Sequence, residues 1–453
     1  MKDRLGAFLG GEATEPERLS GGASRETFAF ALDGRPLILQ RVRPGPIAAG
    51  FSMEGEADLL RAAAAAGVPV AEVVAASDDP SVVGGAFIVV ERLAGETIAR
   101  RILRDDAFAA ARSVLVAQSG AALARIHAID PAAVPALRAQ DPVGQLRALV
   151  DALEPRMGPH PAFELGFRWL ERHRPPPGPT TVVHGDFRLG NLLVDEHGLA
   201  AVLDWELAHL GDPVEDLGWF SIRAWRFGGP GEVGGLGSVD ELLAAYHQAG
   251  GAPVDREALR WWQVLGTLRW GVICMLQASA HLSGASRSVE LAAIGRRVCE
   301  TEYDLLCLLG APPEVSGSPA GPAPGAGGRE GGGASGRGGL HGTPSATELV
   351  EAVREFLERD VAAATEGRVR FHTRVAANVL AMVERELAGG PGPEAAHRAR
   401  LAALGFDDDA ALAAAIRAGA LDEREQDVRV AVGESVVDRL RVANPGYLDA
   451  TTG

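Results

Sequence analysis

The most constraining stretch of the chain is Val182–Trp219, which reads VVHGDFRLGNLLVDEHGLAAVLDWELAHLGDPVEDLGW. Two short apolar runs, Asn191–Val194 and Ala200–Leu203, flank a turn at Glu196-His197-Gly198, the pattern of a β-hairpin. Asp186 precedes the first run, with Asn191 five residues on, and Asp204 follows the second. The outer ends of a hairpin meet at one edge, so two carboxylates and an amide oxygen are expected to converge there. Oxygen donors with few nitrogens or sulfurs suit Mg²⁺, which is usually held by one or two carboxylates plus a substrate's phosphates. The spacing therefore points to phosphoryl-transfer chemistry.

His184-Gly185-Asp186, then Asn191, then Asp204-Trp205-Glu206 resembles the aminoglycoside-phosphotransferase branch of the protein-kinase-like superfamily. The longer phrases HGDFRLGN and LGDPVED are similar to a subgroup that includes kinase domains fused to acyl-CoA dehydrogenases, which act on hydroxyacyl-CoA. The resemblance covers roughly residues 15 to 310. It implies an α+β, bilobal fold: a small β-rich N-lobe over 1–92 and a mostly helical C-lobe over 93–310. It also implies Asp186 as catalytic base, Asn191 and Asp204 as Mg²⁺ ligands, and Asp216 as the brace of the catalytic loop. Arg188 stands two residues after the base, where protein kinases carry a lysine. It is expected to stabilise the transferring phosphoryl group, the alternative being a salt bridge to a neighbouring carboxylate. His184 is expected to pack and hydrogen-bond the loop. Glu206 is open between a second metal contact and an ion pair, and Glu215 reads as solvated or ion-paired.

The donor side is expected upstream. Strands are predicted at Thr27–Leu32 and Leu37–Arg41, joined at Asp33-Gly34, a strong hairpin signal. The preceding turn, Ser20-Gly21-Gly22-Ala23-Ser24-Arg25, is of a kind that lets backbone N–H groups approach phosphates. Related kinases place this loop over the ATP phosphates, so Ser20, Gly21 and Gly22 are expected to bind nucleotide. The third strand should supply a cation, and Gln40 and Arg41 compete for that position. A one-residue slip turns a side chain to the other face: with Gln40 there the cation is lost, with Arg41 the role is kept, and Arg41 is the expected one. Glu56, with Glu54 as competitor, is expected to pair with that cation from a helix over about 53–66. The family hinge falls at AFIVVER, where the backbone around Glu91 and Leu93 is expected to meet the adenine edge.

A net charge of −16 argues against nucleic acid as a partner, because phosphate backbones need clustered Lys and Arg. Three cysteines without CxxC spacing argue against a disulfide framework or zinc and suit buried thiols in a cytoplasmic protein. The N-terminal segment lacks the apolar core of a signal peptide. Val264–Ala280, the longest apolar helix candidate, is interrupted by Arg269 and is expected not to span a bilayer. Residues 311–343 are Gly, Pro and Ala with almost no large apolar side chain and read as a linker. Beyond it, a capping box at Ser345 and Glu348 opens an all-helical bundle over 344–453. That segment resembles an uncharacterised helical domain accompanying such phosphotransferases and acyl-CoA dehydrogenases. It is expected to serve as a protein partner or dimer contact, and its histidines as surface or satisfied groups. Together these readings imply an ATP- and Mg²⁺-dependent phosphotransferase acting on a small-molecule hydroxyl, a hydroxyacyl-CoA type being favoured. An aminoglycoside acceptor is the runner-up; a pseudokinase scaffold binding nucleotide or acyl-CoA is the other class.

Overall fold

The computed structural model describes residues 1–19, 25–43, 52–315 and 345–449. The Ser20-Gly21-Gly22 turn and most of the expected linker lie outside the described residues. By packing, the chain forms two units, Met1–Asp141 with Arg174–Gly266, and Pro142–His173 with Thr267–Gly453.

The first unit opens with α1 (Lys2–Leu9) and a five-stranded sheet. Its strands are β1 (Glu17–Arg18), β2 (Arg25–Leu32), β3 (Arg35–Val42), β4 (Val73–Ser77) and β5 (Phe87–Glu91), in the order β1-β2-β3-β5-β4. Asp33 and Gly34 both adopt left-handed backbone, with φ of 49° and 83°, as a two-residue hairpin turn of this handedness requires. That turn sets the register outward, from Leu32 opposite Arg35 to Arg25 opposite Val42. Alternation then gives the sheet two faces. Phe28, Phe30, Leu37, Leu39 and Phe87 pack with Leu5 on one. Ile88 on the other shares a core with Met53, Ala57 and Leu60 of α2 (Met53–Ala65). The Ser52 hydroxyl accepts the Gly55 N–H and caps α2, satisfying an otherwise orphaned donor.

Helices α3 (Ala99–Arg104) and α4 (Ala109–His127) follow. Next come α5 (Pro142–Met157) and α6 (Pro161–Arg172), both of the second unit, then β6 (Thr181–Val183) and the hairpin of β7 (Leu192–Asp195) with β8 (Gly198–Val202). Strand β9 (His209–Gly211) pairs back on β6, and α7 (Val214–Phe220) and α8 (Val239–Gln248) follow. Among the described residues one helical stretch, Asp106–His127, is long and apolar enough by length and composition to cross a membrane. Its Leu115, Leu123 and Ile126 are fully buried in one cluster with Leu242 and Tyr246 of α8, so its apolar character serves the core of this unit.

The second unit is helical. After α9 (Arg256–Leu282), residues 288–309 break at Arg297 into α10 (Val289–Arg296) and α11 (Val298–Leu308). At the break the Arg297 guanidinium grips Glu300 in the first turn of α11. The Ser345–Glu348 capping box is present in both directions. Packing does not follow chain order. Glu164 of α6 binds both Arg147 of α5 and Arg417 of the helix Asp409–Arg417. Glu302 of α11 lies 2.9 Å from His160 and 3.2 Å from Arg439. Parts of the 93–310 segment thus pack with the 344–453 helices, because buried acids find their cations there.

Candidate active site

The loop between β6 and β7 is held from both ends. Asp216 of α7, fully buried, accepts the His184 N–H at 2.7 Å and the Gly185 N–H at 2.9 Å. His127 of α4 adds a contact at 3.2 Å, and Tyr246 bonds the other ring nitrogen of His127 at 2.9 Å. Burial alone would push the Asp216 carboxyl up, but the His127 and His184 contacts hold it below the usual carboxylate range. Only glycine fits at Gly185: its φ is +79°, and a Cβ would stand 2.4 Å from the Leu207 carbonyl oxygen.

His184 joins the two halves of the site. Its Nε2–H donates to the Leu203 carbonyl at 3.0 Å, and its Nδ1 accepts the Asp186 N–H at 3.2 Å. Those partners require the neutral ring, and complete burial lowers its pKa in agreement. One imidazole therefore ties the backbone of Asp186 to the residue preceding Asp204.

Asp186 is fixed by three side-chain N–H donors. Asn191 Nδ2 donates at 2.7 Å, Trp219 Nε1 at 2.9 Å, and Arg188 Nε spans both oxygens at 3.1 and 3.2 Å. Asn191 also donates to the Asp186 carbonyl at 2.9 Å. The Arg188 guanidinium lies over the Trp225 ring, 4.9 Å from its centroid, a cation–π contact. Of the two sequence readings for Arg188, the salt bridge to a neighbouring carboxylate is the arrangement seen. Trp219 and Trp225 are additions that the sequence reading missed. An indole offers no motif, and only the turn from α7 into Arg223–Arg226 carries Trp225 beside Trp219.

Asp204 follows β8 with φ 63°, a left-handed conformation uncommon outside glycine and a frequent mark of functional sites. The turn presents an exposed carboxylate. Burial along its inner side, then the charges of Glu206 and Asp186, push it up to about 6, against relief from Arg25 and Arg188. Solvent on the open side screens part of that burial. Asp186, Asn191 and Asp204 are thus gathered at one edge: Asn191 bonds Asp186, the Asn191 carbonyl accepts the Leu203 N–H at 2.8 Å, and Asp204 is next in line. Among the described residues no three His, Cys, Asp or Glu side chains form a metal cluster by themselves. Buried His209 pairs with Glu215 at 3.2 Å and donates to the Leu207 carbonyl, fixing the same turn. Glu215 is therefore an ion-paired residue rather than a solvated one.

The sheet side needs correction. Arg41 does not meet Glu56. Its guanidinium pairs with Glu26 at 2.5 Å, donates to the Val83 carbonyl, and lies over the Phe28 ring. The cause is parity: Arg41 stands opposite Glu26, while Gln40 stands opposite Thr27 on the other face. Glu56 is buried, unlike exposed Glu54, and its partner is Arg25, through bonds of 2.7 and 2.6 Å. Arg25, expected in the preceding turn, is the first residue of β2. The register from Asp33-Gly34 would have placed it on the Gln40 face had it been counted outward.

At the hinge, Glu91 ends β5, and its N–H is taken by the Glu72 carbonyl at 2.9 Å. Leu93 lies in the connection beyond it. That connection is tied to the catalytic hairpin, since Glu96 and Val194 exchange backbone bonds of 2.8 and 3.0 Å. In the second unit, His397 sits between Ser435 and Asp409, both at 3.0 Å. Burial pushes the thiols of Cys274 and Cys299 up to about 12, so both are inert packing groups.

A family model described as "Phosphotransferase enzyme family" matches residues 15–262, and a second, "Domain of unknown function (DUF6285)", matches residues 363–447. The chain belongs to the phosphotransferase enzyme family. Among curated proteins, acyl-CoA dehydrogenase family member 10 of Mus musculus is 31% identical over 241 residues, which is 48% of this chain and 21% of that protein. Acyl-CoA dehydrogenase family member 11 of Gallus gallus is 29% identical over 321 residues, 65% of this chain and 40% of that protein. The chain therefore spans well under half the length of these relatives. A solved structure from Ralstonia eutropha, assigned as an aminoglycoside phosphotransferase, aligns at 23% identity and TM-score 0.54. It covers 67% of this chain and 96% of that one. That likeness shows the kinase-like fold, β-rich at the N-terminal end and helical after it.

Proposed function

We propose that this chain transfers the γ-phosphate of ATP, with Mg²⁺, to a hydroxyl group on an acyl-CoA-type metabolite. The observation that carries this is the shared edge of Asp186, Asn191 and Asp204, with Asp186 oriented by three N–H donors. The donor chemistry suits Mg²⁺ and phosphates: the candidate ligands are oxygens, and the crowding that pushes Asp204 up is the kind a cation relieves. Asn191 and Asp204 would hold the ion, which when bound neutralises charge on phosphate oxygens.

The chain's own residues supply the remainder. Asp186 accepts the proton of the acceptor hydroxyl and points that oxygen along the line of transfer. Trp219 and Asn191 fix the carboxylate plane, while the Arg188 contact is the longest of the set and the one most readily exchanged for a phosphoryl oxygen. His184 and Asp216 keep the loop from relaxing.

The acyl-CoA preference rests on the names of the relatives. An aminoglycoside acceptor is less favoured, because polycations need an open acidic patch. Glu300, Glu302 and Asp304 are instead buried and bonded to Arg297, His160 and Tyr447 within their own unit. The test is Mg²⁺-dependent ATP consumption by the full chain over a panel of hydroxyacyl-CoAs and aminoglycosides, with D186N as control. Turnover on a hydroxyacyl-CoA that D186N abolishes supports the reading. ATP binding without turnover on any acceptor would favour a scaffold.

A further inference from the structure

Gln40 holds the β3 position whose side chain turns toward Glu56, yet it is neutral. A phosphate-binding strand without its cation is the feature that keeps a scaffold reading alive. The structure fills the vacancy from the neighbouring strand. Arg25 of β2 is 7% exposed and grips both oxygens of Glu56. It reaches Gln40 Oε1 at 3.4 Å, so it stands beside that position. Its Nε lies 3.3 Å from Glu206 in an ionic contact, and that buried nitrogen has no hydrogen-bond partner among the described residues. Its charge is also felt at Asp204.

We infer that Arg25 is the phosphate-binding cation of this chain, moved from the third strand to the second, with Glu56 as its positioning residue. The inference rests on the nucleotide-dependent reading above and names the group that makes it possible despite Gln40. A guanidinium has five N–H bonds in a planar fork. Glu56 and Gln40 engage three of them; the remaining edge, Nε in ionic contact with Glu206 and one Nη2 hydrogen, is a pair of donors without a hydrogen bond. Two such donors on one edge suit adjacent phosphate oxygens. Burial in a place already lined by Glu56, Glu206 and Asp204 keeps the cation in position whether or not nucleotide is bound. Arg41 has no part in this, since it faces the opposite side of the sheet with Glu26.

The test compares direct binding of Mg·ATP and of adenosine to the full chain, by calorimetry, for wild type, R25M, R25M/Q40K and R41A. Adenosine reports the base pocket alone, so the ratio of the two affinities isolates the phosphate contact from any general loss of folded protein. R25M is expected to weaken ATP binding about 10- to 100-fold and to leave adenosine binding within about threefold. Q40K should restore ATP binding in the R25M background by returning a cation to the third strand, and R41A should change neither ligand. If R25M does not fold, R25Q, which can still hydrogen-bond Glu56, carries the same expectation. An unchanged ATP-to-adenosine ratio in the Arg25 variants, or a loss that Q40K does not repair, overturns the inference. Failure of wild type to bind ATP at all would instead overturn the nucleotide reading itself.

Discussion

The catalytic loop and the N-terminal sheet build the same site by different means. In the loop, the base, its amide partner and its arginine lie within six residues of chain, and local turns bring them together. In the sheet, Arg25, Gln40 and Glu56 meet across 31 residues through strand pairing and helix packing. In the loop each side chain is held by its own partners, set by a few residues of chain. A sheet face can supply the same charge from either of two neighbouring strands, since residues directly opposite one another share a face. A cation can therefore change strands without leaving the site, whereas a base cannot leave its loop.

The largest effect that sharpens this contrast belongs to Asp186. D186N should lower turnover about 10²- to 10⁴-fold and leave ATP affinity near wild type, as steady-state rates and calorimetry would show. A smaller change in rate would mean that the loop does not carry the base. D216N tests the brace. It leaves the His184 and Gly185 N–H groups facing a weaker acceptor and unpairs His127, so urea unfolding should report a loss of about 3 kcal/mol. W219F keeps the ring but removes the Nε1–H to Asp186, and about a tenfold fall in turnover is expected with unchanged nucleotide binding.

The pH dependence of metal binding follows from Asp204. Its folded value lies above the ordinary one, so the folded chain keeps this proton more tightly than the unfolded chain does. Its contribution to stability therefore falls as pH rises from the ordinary 3.8 through about 6. A divalent cation must displace the same proton, so Mn²⁺ affinity followed by electron paramagnetic resonance should rise as pH rises through about 6. D204N should bind more weakly and lose that rise; a wild-type affinity flat across the window would break the assignment. The smallest effect is expected from R41A, which removes a largely buried pair with Glu26 together with the bond to the Val83 carbonyl and should shift stability by about 1–2 kcal/mol without touching nucleotide binding.

The two regions also differ in how far sequence reading reaches. Asp186, Asn191 and Asp204 were nameable from spacing, because a hairpin brings its outer ends to one edge, whereas the parts played by His184 and Asp216 came with the family resemblance. Arg41 was misplaced because two adjacent residues, Gln40 and Arg41, both suit a strand, and only register decides which faces α2. Trp219 was invisible as a partner of Asp186, since a helix of seven residues must be docked before its indole can reach anything. In the second unit, the acids Glu164 and Glu302 are buried against Arg417 and Arg439, partners that lie far away in the chain.

The order of residues by itself determined the hairpin, the turn at Asp33-Gly34, the capping box at Ser345 and the oxygen-donor set, because each depends on neighbours within a few positions. Only the tertiary structure decided which strand delivers the cation, which indole orients the base and which helices share a core. Those depend on faces brought together across long stretches of chain, where a shift of one residue reverses the outcome.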